Sequence, residues 1–166
     1  MDNLVATDFM RLLLSIALIY LGYIDLRTFR LPDVITIPMI ILGLCFNALS
    51  SPAFAAPINA LLGAILGFTF LWLMNYLYRI AKKQDGIGMG DAKLLAALGA
   101  WLGWQALPLI LLVATLSGLI GGVIWLYWNQ QSHQKPFPFG PFLAFAGIIE
   151  LIWPQLLQNL LLSNLT

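Results

Sequence analysis

Residues 107–128 read LPLILLVATLSGLIGGVIWLYW, a continuous apolar stretch without a charged side chain. A helix needs about 20 apolar residues to cross the hydrocarbon layer of a membrane, so this stretch predicts a transmembrane helix. Its apolar residues do not alternate with polar ones, as they would in the strands of a membrane barrel. Backbone groups in lipid must be satisfied by the segment itself, and the pattern therefore favours helices.

The composition of the whole chain extends this prediction. Of 166 residues, 61% are hydrophobic and 9% are charged, whereas a soluble domain carries about a quarter charged residues. Most of the outer surface is therefore expected to face a lipid bilayer. The net charge of +1, without a basic run, argues against nucleic-acid binding. The one cysteine, Cys45, excludes an intrachain disulfide framework and a CxxC zinc site, and no metal or cofactor is expected.

Five further apolar stretches accompany the first. The six predicted spans are 9–24, 34–49, 58–78, 92–104, 107–128 and 141–162. The predicted fold class is all-α: a polytopic membrane protein with a bundle of about six transmembrane helices, forming a single domain over residues 1–166. A re-entrant fourth segment would leave five spans, since only a tight link at 105–108 precedes the fifth stretch.

The few charges orient this bundle. If the spans alternate in direction, the links after the first, third and fifth spans lie on one side. These links contain most of the basic residues, namely Arg27, Arg30, Arg79, Lys82, Lys83 and Lys135. Positive residues mark the cytoplasmic side, so both termini are predicted to be periplasmic, and five spans would scatter these charges. The N-terminus lacks the features of a secretory signal, so the first helix is expected to remain in the mature protein.

Two aspartates fall at one predicted membrane depth. Asp25 ends the first apolar stretch, and Asp91, in GIGMGDAK at 86–93, opens the fourth, so both are expected at the cytoplasmic boundary. Two carboxyl groups that meet in a partly desolvated place do not both ionise easily. One retained proton lets the pair activate a water and protonate a scissile carbonyl. The plain alternatives are an ion pair of Asp25 with Arg27 or Arg30, and a helix cap at Asp91.

The other ionisable residues near the membrane receive simpler interpretations. Asp33 follows a proline at the start of the second stretch and is predicted to cap that helix, with substrate contact as the alternative. Lys93 and the helix N-terminus are expected to favour the ionised form of Asp91. Glu150 lies near the middle of the sixth stretch, where we expect it to be protonated and bonded to Asn59, Asn75 or Asn159.

Small and aromatic residues indicate how the helices pack. Gly63-x-x-x-Gly67 and Gly99-x-x-x-Gly103 have a spacing that lets two helices approach closely. They predict helix contacts rather than a function. The tryptophans near the ends of the stretches, Trp101 among them, predict an interfacial belt.

Four stretches in order resemble a known family. GMGD at 88–91 matches the GxGD motif of intramembrane aspartyl proteases, and GDAKL at 90–94 is similar to the version found in type IV prepilin peptidases. The other stretches that resemble these peptidases are IDLR at 24–27 with LPD at 31–33, LLAALGAWLG at 94–103 and PFGPFLA at 138–144. The resemblance covers nearly the whole chain.

This resemblance implies an aspartic endopeptidase of the bacterial cytoplasmic (inner) membrane. Such enzymes remove the basic leader from type IV prepilins or type II secretion pseudopilins at the cytoplasmic face. They cut after a glycine, before the apolar helix that begins the mature subunit. The resemblance implies that Asp25 and Asp91 are the catalytic dyad. The implied active-site loop and substrate-binding residues are Gly88, Gly90, Lys93, Asp33, Pro138, Phe139, Gly140 and Pro141.

The sequence departs from the bifunctional members of the family. Those members carry an additional region with two CxxC pairs, associated with zinc and with N-methylation of the new terminus. This chain has one cysteine and resembles a peptidase-only short form, so zinc is not expected and methylation is in doubt. The alternative function is a small transporter or proton-coupled channel with paired acids, for which acids near the midplane and symmetric halves are typical.

Overall fold

The computed structural model describes residues 2–50, 53–83, 88–128 and 138–154. Within these ranges the chain folds into six α-helices and one short 3₁₀ turn, without a β-strand. The elements are α1 (Asp2–Thr28), α2 (Asp33–Leu49), α3 (Pro57–Lys82), α4 (Met89–Leu102), the 3₁₀ turn (Trp104–Ala106), α5 (Leu107–Trp128) and α6 (Gly140–Ile152). The all-α prediction is confirmed for the described part of the chain. Positions 155–162 of the sixth predicted span lie outside it.

Helix α4 lies at the centre of the bundle. It packs against α2, α3, α5 and α6, and nearly every residue from Asp91 to Trp101 is buried. Small side chains such as Ala96, Ala97 and Ala100 let the neighbouring helices come close to it. The outer helices α1, α3 and α5 instead expose many large apolar side chains, as expected of a surface in contact with lipid.

The contact between α3 and α4 depends on glycine. Gly63 and Gly99 face each other so closely that a Cβ atom on either residue would overlap the backbone of the other. A Cβ atom at Gly67 would lie 2.7 Å from the carbonyl oxygen of Leu95. The close helix contact predicted from the glycine patterns is therefore confirmed. Gly103 also ends α4, because its φ of 82° lies in the region that favours glycine, so α4 stops before the predicted end at 104.

Hydrogen bonds fix α2 against the last turn of α4. The buried Asn47 side chain donates to the carbonyl oxygens of Ala100 and Trp101, at 2.8 Å each, and accepts from the backbone N–H of Ala55. Carbonyls in a last helical turn lack partners within the helix. The Trp101 indole N–H donates to the Met39 carbonyl oxygen at 2.8 Å. Since Trp101 is buried inside the bundle, the prediction that it belongs to an interfacial belt is wrong.

Three helices of the described chain are long and apolar enough to cross a membrane, over Thr7–Thr28, Pro57–Lys82 and Trp104–Ile124. Helices α2 and α6 are apolar but shorter. Helix α4 has 14 residues and is about 21 Å long, against a hydrocarbon core of about 30 Å. The helix lengths and hydropathies support a membrane protein, while the count of six spans stays a prediction.

We expect Gly99→Ala to lower the free energy of unfolding by about 1–3 kcal/mol, because the added methyl group would meet the Gly63 backbone and force α3 away from α4. Denaturant unfolding in detergent, followed by circular dichroism, measures the change. Gly118→Ala on α5 is the matched control, because a Cβ atom there meets its nearest neighbours at 3.5 Å or more. If Gly99→Ala is as stable as the wild type, the close backbone contact between Gly63 and Gly99 does not exist.

Candidate active site

Asp25 lies in the last turn of α1 and is 5% exposed. Its Oδ2 accepts a hydrogen bond from the backbone N–H of Gly140, at 3.1 Å. Gly140 begins α6, where backbone N–H groups lack helical partners and attract negative charge. A Cβ atom at Gly140 would lie 2.7 Å from the same carboxyl oxygen. The Asp25 carboxyl group therefore contacts Gly140, the first residue of α6, directly. A residue larger than glycine at position 140 would collide with this carboxyl group.

Asp91 lies in the first turn of α4 and is 8% exposed. Gly88 occupies the N-cap position of this helix, and its carbonyl oxygen accepts the Asp91 backbone N–H at 3.1 Å. Asp91 is therefore not the cap, contrary to the plain alternative. A Cβ atom at Gly88 would lie 3.4 Å from Asp91 Oδ2, and one at Gly90 would lie 2.9 Å from Leu31 Cβ. The two motif glycines thus lie against the Asp91 carboxyl group and against the link between α1 and α2.

The two carboxyl groups influence each other. Asp91 precedes the apolar stretch 92–104. Burial raises the pKa of its carboxyl group to about 7, and the negative charge of Asp25 contributes to the increase. Asp25 is therefore near enough for its charge to act on Asp91. The structure brings together the two aspartates that the sequence analysis selected, and a pair coupled in this way titrates as a unit.

Lys93 pairs with Asp33 rather than supporting an ionised Asp91. Its Nζ lies 2.6 Å from Asp33 Oδ1, and this ion pair joins the start of α2 to the first turn of α4. Pro32 is the N-cap residue of α2 and no side chain caps that helix, so the predicted capping role of Asp33 is wrong. The pKa of Asp91 is raised, because burial and the charge of Asp25 both act against ionisation, so the expectation that Lys93 and the helix N-terminus favour its ionised form is also wrong.

The basic residues near Asp25 do not neutralise it. Within the described ranges, Asp25 forms no ion pair with Arg27 or Arg30. The Arg27 guanidinium instead lies over the Tyr23 ring, 5.1 Å from its centroid. Asp25 is thus a buried carboxyl group whose hydrogen bond comes from the α6 backbone, which sequence spacing could not reveal.

The predicted entrance residues 138–141 surround the start of α6. Phe139 is the residue before α6, and its carbonyl oxygen accepts the first backbone hydrogen bonds of that helix. A Cβ atom at Gly22 of α1 would lie 3.4 Å from the Pro141 Cα atom. Pro138 and Gly140 are buried. The segment therefore packs on α1 beside Asp25.

Glu150 lies far from this pair of aspartates. It is 4% exposed and lines a cavity of about 730 Å³ at the other end of the bundle, together with Arg11, Asn59 and Gln105. Asn59 Oδ1 accepts the Trp104 indole N–H at 3.3 Å. Bonding of Glu150 to an asparagine stays a prediction, and Asn159 lies outside the described residues. The described ranges contain no group of three or more His, Cys, Asp or Glu side chains that could hold a metal ion.

Within the described ranges, membrane-type helices and two buried, interacting aspartates at one end are the features expected of a membrane-embedded aspartyl peptidase. Comparison with known proteins agrees, because residues 12–126 match the type IV leader peptidase family. The chain belongs to this family, which confirms the resemblance stated above. No solved structure matches the chain.

Three curated relatives are each named prepilin leader peptidase/N-methyltransferase. The protein of Aeromonas hydrophila is 42% identical over 153 residues, which cover 92% of this chain and 52% of the relative. The protein of Pseudomonas aeruginosa is 44% identical over 142 residues, covering 86% and 48%. That of Burkholderia pseudomallei strain K96243 is 43% identical over 140 residues, covering 84% and 45%. The chain thus spans about half the length of the curated relatives it matches.

Removing the charge of Asp25 is expected to lower the pKa of Asp91, because a neighbouring negative charge disfavours ionisation. In Asp25→Asn, the infrared carbonyl band of protonated Asp91 should vanish at a lower pH than in the wild type. The band is assigned to Asp91 by its absence from the spectrum of the Asp91→Asn variant. Asp8→Asn, which removes an exposed charge near the other end of α1, should leave the titration unchanged. An identical titration in Asp25→Asn and the wild type would show that the two groups do not interact.

Proposed function

We propose that this chain is a membrane aspartic endopeptidase that removes the basic leader from type IV prepilins or type II secretion pseudopilins. The observation that carries the proposal is the buried pair of Asp25 and Asp91, whose charges interact, in a member of the type IV leader peptidase family. The names of the half-matched relatives support the same substrate class. The proposal covers the peptidase reaction alone.

The proposed reaction uses one proton on the pair of aspartates. The ionised carboxylate takes a proton from a water, whose oxygen attacks the scissile carbonyl carbon, while the protonated carboxyl group gives its proton to the carbonyl oxygen. The tetrahedral intermediate then breaks its C–N bond, and the leaving amine receives the proton taken from the water. Asp25 is the better candidate for the ionised group, because the Gly140 N–H and the start of α6 stabilise negative charge on it. Asp91, with its raised pKa, is the better candidate for the proton donor.

The glycines around the pair are proposed to keep both carboxyl groups accessible. Gly88 and Gly140 have no side chain between the substrate space and the carboxyl groups of Asp91 and Asp25, respectively. Gly90 is proposed to hold the Asp91 loop against the link that follows α1. Gly140 also lies at a helix start, and its backbone N–H donates to Asp25 Oδ2 at 3.1 Å.

Substrate contact is proposed for the residues that border the pair. Asp33 and Lys93 form their ion pair beside the first turn of α4, and the segment 138–141 adjoins Asp25. These residues are candidates for guiding the peptide rather than for proton transfer. Their position supports an entrance that is bounded by α2 and α6.

The membrane orientation completes the proposal: six spans in the bacterial inner membrane, both termini periplasmic and the aspartates at the cytoplasmic face. The positive-inside rule supports it, because basic residues cluster in the last turns of α1 and α3 and in the link after α1, namely Arg27, Arg79, Lys82 and Arg30. Asp25 lies in the same last turn of α1 as Arg27. The position of Asp25 in the last turn of α1, away from its middle, gives no support to the transporter alternative.

Asp25→Asn and Asp91→Asn are each expected to reduce leader removal by about a thousandfold or more, because either change removes an acid or a base from the reaction. Purified protein in detergent is incubated with a prepilin, and loss of the leader is followed by mass spectrometry. Circular dichroism shows whether each variant is folded.

Asp8→Asn is the matched control for these variants and should cleave at the wild-type rate, because Asp8 is exposed near the start of α1. Full activity of a folded Asp25→Asn or Asp91→Asn variant would exclude the dyad. A wild-type protein that leaves prepilin intact in detergent and in vesicles would refute the proposed function itself.

The orientation is tested by cysteine labelling in a Cys45→Ser background. Lys83→Cys, at the end of α3, should resist a membrane-impermeant maleimide supplied from the periplasm and should react in inverted vesicles. Ser50→Cys, at the end of α2, should show the reverse pattern. Efficient labelling of Lys83→Cys from the periplasm would invert the proposed topology.

A further inference from the structure

An apolar groove runs between α1 and α2. Its volume is about 530 Å³, and its walls include Leu13 and Ala17 of α1 and Ile35, Leu42 and Cys45 of α2, with Trp101 of α4 also in its lining. We call this feature the α1–α2 groove. Its walls are almost entirely apolar, so the groove suits an apolar occupant.

The groove exists because consecutive helices have different neighbours. Helix α1 packs mainly on α6, whereas α2 packs mainly on α4. The hydrogen bonds from Asn47 and to Met39 hold α2 on α4, and the bond between Asp25 and Gly140 holds α1 on α6. The space between α1 and α2 therefore results from the packing of these two helices on different partners, α6 and α4.

One end of the groove lies next to a residue that borders the candidate active site. Its apolar lining includes Val34 and Ile35, directly after Asp33, whose carboxylate binds Lys93 in the first turn of α4. Just before Asp33, Leu31 lies against the Gly90 backbone. At the other end the lining reaches Leu49 and Ser50, so the groove follows α2, which is about 25 Å long.

We propose that the α1–α2 groove binds the apolar segment of the substrate, directly after the bond that is cut. This inference rests on the proposed function. A substrate whose apolar helix begins directly after the scissile bond matches an apolar groove whose α2 lining begins at Val34, directly after the residue that forms the Asp33–Lys93 ion pair. Laying an apolar helix into such a groove is a common mode of peptide recognition. It would hold the scissile bond at the level of the two aspartates and leave the leader outside the groove.

Cys45 provides a direct test, because it is exposed and lines the groove. The probe is a synthetic peptide with a basic leader, a glycine and about 20 apolar residues, with one cysteine in its apolar part. Oxygen, with copper phenanthroline as the catalyst, should oxidise the peptide thiol and the Cys45 thiol of the Asp91→Asn variant to a disulfide between them, accepting the two electrons and two protons released. Leu116→Cys in a background with both Cys45→Ser and Asp91→Asn is the matched control on the outer face of α5, where Leu116 is 56% exposed. We expect its cross-link yield to be at least about tenfold lower.

A kinetic measurement separates binding in the groove from damage to the site. With otherwise wild-type protein, a bulky maleimide on Cys45 should raise the KM for the long peptide at least about tenfold. Cleavage of a short peptide that ends soon after the scissile bond should stay unchanged. Equal inhibition of both peptides would indicate a distorted site and would overturn the proposal.

The other possible occupants give different results. A groove filled by lipid predicts cleavage without a cross-link at Cys45 and an unchanged KM after its modification. A groove that binds a second copy predicts a Cys45–Cys45 disulfide between two enzyme chains. Either result overturns the groove proposal while the proposed function stands. Cross-linking to Cys45 without cleavage of either peptide by unmodified wild-type protein would instead refute the proposed function and retain the groove.

Discussion

The backbone contact between α3 and α4 at Gly63 and Gly99 is the constraint on which the rest of the bundle depends. With no side chain between them, the two helices approach closely enough for α4 to be enclosed by its neighbours. In lipid, where apolar side chains gain little by leaving the solvent, such packing replaces the hydrophobic effect as the source of association. Asp91 is carried on α4, so the same contact determines where one of the two carboxyl groups lies.

Burial of α4 also explains why a short helix can begin at a charged residue. At about 21 Å, α4 does not match the thickness of a bilayer, and its first turn leaves backbone N–H groups without helical partners. Irregular backbone at membrane depth is tolerated where protein surrounds it. Leu31, in the link after α1, lies against Gly90 in the first turn of α4. The Asp33–Lys93 ion pair joins the start of α2 to the same turn, so protein packs against the beginning of α4.

The sequence allowed the apolar helices, the glycine contact and the proximity of Asp25 and Asp91 to be predicted, because each depends on position along a helix axis. Alternation of spans assigns a depth to every residue, and few acids share the depth of Asp25. Which residues of other helices a side chain contacts depends instead on the tertiary packing of the bundle. The Lys93 partner of Asp33 and the Gly140 partner of Asp25 come from other helices, and the buried Trp101 indole N–H donates to a carbonyl on α2. Local spacing contains no signal for any of these contacts.

The division of helices into two pairs connects the candidate site with the groove. The hydrogen bond to Gly140 fixes the position of Asp25 relative to α6. The position of Asp91 is fixed relative to α2, because the Asn47 hydrogen bonds and the Asp33–Lys93 ion pair join α2 to α4. The pair of carboxyl groups therefore lies where the α1–α6 unit meets the α2–α4 unit, and the α1–α2 groove follows the same boundary. A segment that enters this boundary would contact both units at once. Its position would then influence the separation of the two carboxyl groups, which links recognition of an apolar segment to the geometry on which the proposed proton transfer depends.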